Sequence, residues 1–357
     1  MSTEPMSAEL LHALPRSPGV WAQAWTRLKT DRVGMVSLYV TLFFIVLVLL
    51  AQLGLVASNW QKEVGTPFAP PHFVGKIADG SQTAVVETIA GPNVDISDVD
   101  PLAPRYPEWE QRAAQFKTTT TEKSDTLPFG GDQLGRDVLS KVIKGAQVSI
   151  TVGLVAALFA TLIGTILGAI GGYFGGRVGD LLEWVYNVFT AIPYILLVFA
   201  LAAVLKSGPL AGTLGSGVWT VVIILSLVGW TGIYRLVRAE YMKHRSREYV
   251  RAAEAIGASH ASRMFTHILP NISHVVLVQL SLHVVGFIKA EVILSFLGLG
   301  VPIDMVSWGT MLSEAQVELV LGKWWQLVAA TTFMAAFVTA FALLTDALRD
   351  ALDPKLR

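Results

Sequence analysis

Six apolar stretches punctuate this 357-residue chain, at about Val33 to Ala57, Val148 to Tyr173, Trp184 to Leu205, Val218 to Ile233, Val275 to Leu299 and Trp324 to Leu344. A hydrocarbon core about 30 Å thick is crossed by about 20 residues of helix. Inside it every backbone amide must find its partner within the segment, so apolar runs of this length read as membrane-spanning helices. Only 15% of the residues are charged and 53% are hydrophobic, against about a quarter charged in a soluble domain. The expected fold is therefore an all-α polytopic membrane protein with six transmembrane helices. The first run is longer than the roughly 7 to 15 residues of a cleaved signal core and reads as an uncleaved anchor. The fourth is the shortest, and Leu210 to Gly217 before it reads as a loop or a frayed first turn.

Basic residues fix the orientation, because Lys and Arg in short flanking segments stay on the cytoplasmic side. They gather at 16–32, at 235–263 and in the tail (Arg349, Lys355, Arg357). With six spans all three fall on one side, giving N-in and C-in. The chain divides into a cytoplasmic amphipathic segment 1–32, a first span 33–57, an extracytoplasmic insert 58–147, a five-helix core 148–349 and a tail 350–357. Within the core the spans are 148–173, 184–205, 218–233, 275–299 and 324–344, with a loop at 235–271. The insert holds half of the chain's 16 prolines. Around Asp79-Gly80 it reads as a hairpin, and Thr118 to Asp125 reads as a flexible link. Trp21, Trp25 and Leu28, beside Arg27, Lys29 and Arg32, form an amphipathic stretch suited to the membrane interface. Cysteine is absent, so no disulfide staples the insert. A net charge of zero gives no general attraction to nucleic acid.

Within the spans, Ala156, Ala160, Gly164, Gly168 and Gly172 recur every fourth residue. They leave one helix face without bulk, where another backbone can approach. Pro193 interrupts the third span and implies a kink. Lys289 and Glu291 lie two residues apart and so point to different faces; they either snorkel toward the interface or one of them lines a polar path. His260, His267 and His274, at spacings of seven, would nearly align on one helix. Pro270 is expected to break that helix and no carboxylate accompanies them, so polar surface roles are favoured over a metal site. No phosphate loop, nucleophile elbow or His-Glu-x-x-His helix is present, so no ATPase or hydrolase activity is expected of this chain.

The segment between the fourth and fifth spans carries the most information. From Arg247 to Ile256 the alanines keep a short helix slim, Gly257 suits a left-handed C-terminal stop, and Ser259 is placed to cap a second short helix running to Leu269. Pro270 and Asn271 would then open the fifth span. Such a narrow hairpin fits a partner's groove, although composition alone favours an ordinary amphipathic loop.

That segment resembles the EAA loop of ABC importer permeases, in which Glu-Ala-Ala, three residues, Gly, nine residues and Ile-x-Leu-Pro follow in order. Ala252, Ala253, Gly257, Leu269 and Pro270 match; Arg251 and His267 depart, as they do in the dipeptide/oligopeptide/nickel branch. Phe129 to Ser140, Glu291 to Val301 with Ser307 to Met311, and Asp346 to Lys355 resemble the DppC/OppC-like subunit of the same branch. Pro302 to Val306 and the length of the insert depart from it. The resemblance implies a type I ABC importer permease core in the bacterial cytoplasmic (inner) membrane, forming half of a pore for peptides. It implies as partners a second homologous permease, two cytoplasmic ABC ATPase subunits and an extracytoplasmic solute-binding protein. ATP and Mg would sit on the ATPase partners and no cofactor on this chain. Ala252, Ala253, Glu254, Gly257 and Ala258, with Leu269 and Pro270, are the expected ATPase-coupling residues. Gly135, Arg136 and Glu291 are candidates for pore or binding-protein contact. Nickel chelates or other small solutes are the alternative cargo. An ion-gradient-driven carrier would show paired acidic residues in two repeats, and Glu291 has no counterpart; a receptor or scaffold would need a larger independent core in the insert.

Overall fold

The structure is a computed structural model and describes residues 20–75, 100–115, 123–207, 217–302 and 304–352. The chain divides into two compact units, one comprising residues 1–59 with 140–357 and the other Trp60–Leu139.

The larger unit is a helical bundle. A short helix α1 (Val20–Thr30) runs up to Asp31, whose carboxylate accepts from the amides of Val33 (3.0 Å) and Gly34 (3.1 Å) and so caps α2 (Arg32–Gln52). That cap separates the amphipathic segment from the first span, because it satisfies amides that would otherwise be orphaned at the helix start. Counting on, α4 is Val138–Phe174, α5 Gly176–Thr190, α6 Tyr194–Ser207, α7 Val218–Arg245, α8 Glu248–Ala255, α9 His260–Phe296, α10 Trp308–Val320 and α11 Trp325–Leu352. Among the described residues five helices (α2, α4, α7, α9 and α11) are long and apolar enough to cross a membrane, or six spans if α5 and α6 together make one.

The helices differ from the predicted spans in three places. The helix that contains the span predicted at 148–173 begins at Val138, and the one that contains 218–233 continues to Arg245. The third predicted span, 184–205, is not one kinked helix: α5 and α6 meet at 86° across Ala191 to Pro193. Pro193 has no N–H to continue α5 and its ring crowds the preceding turn, so the chain starts a new helix at Tyr194. Finally, α10 was not anticipated as a helix. It opens with a capping box in which Ser307 Oγ accepts from Thr310 N (3.2 Å) and Ser307 N donates to Thr310 Oγ1 (2.8 Å).

The small-residue ridge of α4 packs as expected, against α7. A Cβ on Gly168 would lie 2.8 Å from Tyr234 O, and one on Gly172 would lie 2.5 Å from Arg238 O and 2.7 Å from Tyr241 Cβ. Ala156 and Ala160 are fully buried. With little hydrophobic drive between helices in lipid, such backbone-to-backbone approach supplies the dispersion contacts that hold the pair.

Trp308 ties several helices together. It is fully buried, its indole N–H donates to Val142 O (3.2 Å), its backbone N–H donates to Ser149 Oγ (3.2 Å), and its ring meets Phe44 and Phe337. Next to it, Gly309 leaves room for Val292 O, only 2.5 Å from where a Cβ would sit. Lys141 of α4, also buried, pairs with Glu314 of α10 and reaches Gln326 Oε1 of α11 at 3.3 Å.

The smaller unit is held by isolated bridges, Glu63 with Arg136, Gly65 with Ser124, Pro71 with Leu127 and Gly131 with Asp137, and it includes α3 (Tyr106–Gln115). The predicted hairpin around Asp79-Gly80 and most of the predicted Thr118 to Asp125 link lie outside the described residues. At the end of that link Lys123 pairs with Glu63 at 2.8 Å and Ser124 bridges Gly65, so these residues belong to the folded unit.

Candidate functional site

Helix α8 and the start of α9 form the hairpin foreseen between the fourth and fifth spans. Helix α8 is short and would not persist alone, since an isolated helix of this length cannot recover its nucleation cost; packing must hold it. Val250 and Ala253 are its buried residues. They join a cluster with Ala169 and Tyr173 of α4, Ile233, Val237 and Tyr241 of α7, and Met264, Ile268 and Ile272 of α9. Gly257 adopts φ +84°, its N–H donates to Glu254 O (2.9 Å), and the N–H of Ala258 donates to Ala253 O (3.0 Å). This paired pattern closes a helix on a left-handed residue. Ser259 Oγ then accepts from Ser262 N at 3.2 Å and starts α9.

The expected break at Pro270 does not occur. Helix α9 runs from His260 through Pro270 to Phe296. Residues Arg263–Ile268 form a π-helical turn, and Leu269 N donates to Met264 O, five residues back. The wider turn takes up the crowding a proline ring imposes on the residues before it, so Pro270 sits at the start of the following α-helical stretch with no hydrogen bond lost to it.

Polar contacts bind the hairpin to the helices around it. The Arg263 guanidinium, largely buried, donates to Glu254 at 2.7 Å and to His260 Nδ1 at 3.0 Å, and lies 5.9 Å from the centre of the Tyr173 ring. Tyr173 Oη lies 3.0 Å from that same His260 nitrogen. Tyr241 Oη donates to Met264 O (3.0 Å), and Arg245 Nη1 donates to Tyr173 O (2.9 Å). The ends of α4, α7 and α9 and the whole of α8 therefore share one hydrogen-bonded and packed junction, so a push on α8 is delivered to three long helices.

Not every expected coupling residue faces outward. Ala252, Glu254, Gly257 and Pro270 are exposed, Ala258 and Leu269 are half-buried, and Ala253 is buried within the chain's own core, where its methyl packs. The residue that sequence reasoning missed is Ile256, 84% exposed at the tip. Its signal was legible: an isoleucine on a slim alanine helix, immediately before the glycine stop, with no neighbouring apolar periodicity to bury it. Arg263, His260 and Tyr173 carried no such signal, because their partnership joins residues some 90 positions apart.

Glu291 lies inside the chain's own core. It is fully buried, with Ser295 Oγ donating to its Oε1 at 2.6 Å and Ser149 and Ser307 beside it. Lys289 is exposed on a different face of α9. In the smaller unit, Gly135 has φ +76° and a Cβ there would lie 2.8 Å from Gly65 C. Arg136 pairs with the buried Asp132 at 2.6 Å and covers Trp60 at 5.8 Å. The Asp132 Oδ1 accepts from the amides of Leu134 and Arg136, both at 2.9 Å, and Asp137, which stands before Val138, accepts from Leu139 N at 3.3 Å. These contacts account for Gly135 and Arg136 as the fastening of their own loop. Of the three spaced histidines, His260 belongs to the junction and His274 is exposed; among the described residues no group of three His, Cys, Asp or Glu is placed to hold a metal.

Comparison with known proteins matches this arrangement to a family. The model described as "Binding-protein-dependent transport system inner membrane component" matches residues 148–357, from α4 through α11, and that described as "N-terminal TM domain of oligopeptide transport permease C" matches residues 19–71. The chain belongs to the binding-protein-dependent transport system inner membrane components. The dipeptide transport system permease protein DppC of Bacillus subtilis (strain 168) is 32% identical to this permease over 334 residues, 94% of this chain and 85% of that protein. The oligopeptide transport system permease protein OppC of the same organism is 36% identical over 247 residues, 68% of this chain and 78% of that protein. Among solved structures, the inward-facing MetNI methionine ABC transporter aligns with 60% of the permease and 97% of that chain, at 15% identity and a TM-score of 0.49. The permease is thus a multi-pass membrane subunit of a transport system.

Proposed function

We propose that this permease is one of two homologous membrane subunits of an ATP-driven importer of di- or oligopeptides in a bacterial inner membrane. It pairs with a second permease, two ABC ATPase subunits that bind ATP and Mg, and an extracytoplasmic solute-binding protein, and itself binds no cofactor and no nucleic acid. Both termini and the α8–α9 hairpin face the cytoplasm, and lipid surrounds the six spans. The observation that carries this reading is the hairpin: a slim, glycine-stopped helix with a bare isoleucine at its tip, locked from behind to α4, α7 and α9. An exposed apolar tip on a rigid base is what a partner's groove requires, and the junction behind it supplies the lever. Relatives named for dipeptide and oligopeptide transport support the cargo class. Glu291, buried against serines, gives no support to an ion-gradient carrier.

The test is to purify the chain in mild detergent, identify its stoichiometric partners by mass spectrometry and measure ATP-dependent uptake of labelled peptides after reconstitution. Recovery with a second permease and nucleotide-binding subunits is expected; a homo-oligomer taking up solute without ATP would overturn the reading, and uptake of nickel chelates but not peptides would replace the cargo. Gly257→Val sharpens the test. No atom lies within 4 Å of the Cβ it would add, so nothing clashes, but a side chain in the left-handed region costs about 1–2 kcal/mol and shifts the tip. Uptake should fall about tenfold at unchanged membrane abundance, with ATP hydrolysis persisting; normal uptake would show that the tip's geometry is not used.

A further inference from the structure

Midway along the Leu269–Phe296 stretch of α9 lies a polar cluster that neither the hairpin nor the Trp308 tie uses. His283 Nδ1 lies 3.2 Å from Thr161 Oγ1 of α4, and His283 Nε2 lies 3.3 Å from Gln279 Nε2 one turn away. The ring stacks on Phe287, with centroids 5.2 Å apart and planes 8° from parallel. An amide nitrogen can only donate, so Gln279 donates to Nε2, which leaves the Nδ1 proton for Thr161 and sets the tautomer. The imidazole is held on three sides and in turn holds one N–H of Gln279.

The rest of the Gln279 carboxamide is uncommitted. Among the described residues its Oε1 takes no hydrogen bond, and one amide proton remains. Opposite it, α7 presents Gly232, which is exposed; a Cβ there would sit 3.6 Å from His283 Nε2 and 3.8 Å from Gln279 Nε2. Farther along the same face of α9, a Cβ on Gly286 would meet nothing within 4 Å. A half-paired carboxamide in the middle of a membrane helix is costly against lipid and is retained where it faces water or cargo. One free acceptor and one free donor are what the N–H and C=O groups along an extended peptide backbone can engage.

We infer that Gln279, positioned by His283 and Thr161 in the gap left by Gly232, contacts the peptide backbone of cargo from within the membrane-spanning part of α9. The inference rests on the peptide-import reading above. Recognition of the backbone amide, common to all peptides, suits a path that carries many side chains.

The test uses the complete reconstituted transporter with its binding protein at saturation, and two probes: labelled dialanine and its ester analogue alanyl-lactate, which lacks the internal N–H. Gln279→Met keeps the chain length and removes the amide. Uptake of dialanine per ATP hydrolysed should fall about tenfold, while uptake of the ester, which keeps its carbonyl but offers no N–H to Gln279 Oε1, should fall distinctly less. Gly232→Val leaves Gln279 intact but fills the gap, and should likewise lower dialanine uptake at unchanged membrane abundance and binding-protein-stimulated hydrolysis. Wild-type dialanine uptake in Gln279→Met overturns the inference. So does a parallel fall of abundance, hydrolysis and uptake of both probes in the two variants, which would make the cluster a packing feature. If the wild-type transporter carries nickel chelates or other solutes but neither probe, the peptide reading itself has failed and the inference falls with it.

Discussion

Ile256→Asp should abolish peptide uptake while leaving the permease in the membrane at wild-type abundance. At 84% exposure Ile256 makes almost no contact within its own chain, and substitutions at such positions change folding stability by within about 0.5 kcal/mol. Its worth lies in the complex. Seating an aspartate in a groove shaped for an apolar side chain leaves a carboxylate desolvated without a partner, a penalty of several kcal/mol. At about 1.4 kcal/mol per tenfold, a loss of at least about 100-fold in ATPase affinity follows. Co-purification of the ATPase subunits and uptake in proteoliposomes should fail together. Wild-type recovery of both would mean that the partner meets the hairpin elsewhere, at Ala252 or Glu254, and that the exposed isoleucine is incidental.

Gly172→Leu acts by the opposite route, through the fold. The Cβ it adds would lie 2.5 Å from Arg238 O, 2.7 Å from Tyr241 Cβ and 3.1 Å from Arg238 Cα. Two of these are backbone atoms, which cannot rotate aside. Helices α4 and α7 must separate, and with them the junction in which Tyr173 and Tyr241 hold the hairpin. Overpacking of a tight core costs about 1–3 kcal/mol, and here the strain falls on the seam that fixes α8, so low membrane abundance and a clearly reduced melting temperature in detergent are expected. Gly171→Ala is the control: the nearest atoms to its Cβ would be the Tyr234 hydroxyl at 3.2 Å, Leu182 Cδ1 at 3.4 Å and Tyr234 Cε2 at 3.6 Å, all side-chain atoms and none of them backbone. Equal damage from the two variants would mean that helix propensity or insertion, not the α4–α7 approach, sets stability.

The contrast between these two glycines shows which parts of the molecule were readable beforehand. The period-four ridge could be read because helical geometry alone puts Ala156 through Gly172 on one face; the partner, α7, could not, since nothing local in α7 names α4. Gly257 and Ser259 were legible as stop and cap because both act within a few residues of themselves. The burial of Ala253 was not legible, because a small residue serves equally to pack and to dock, and only the positions of Tyr173, Tyr241 and Met264 show that its methyl packs. The surroundings of Glu291 were hidden for a related reason: a carboxylate in an apolar helix signals that something polar is near, but nothing local says that Ser149 of α4 and Ser307 at the start of α10 come to lie beside it. The break at Pro193 was underestimated and that at Pro270 overestimated. A proline ring forbids one hydrogen bond and crowds one turn in both places; α5 ends there, whereas α9 widens.

That widened turn has an arithmetic consequence. The π-helical turn at Arg263–Ile268 holds one residue more than an α-helix would spend on the same rise, and one residue is worth about 100° of rotation. The compass bearing of the docking end relative to the membrane-crossing end of α9 is therefore written in the number of residues between Ser259 and Pro270. Bulk and polarity in that stretch can drift while the bearing holds, but a deletion of one residue would turn the docking end about a quarter of a circle away from its mate.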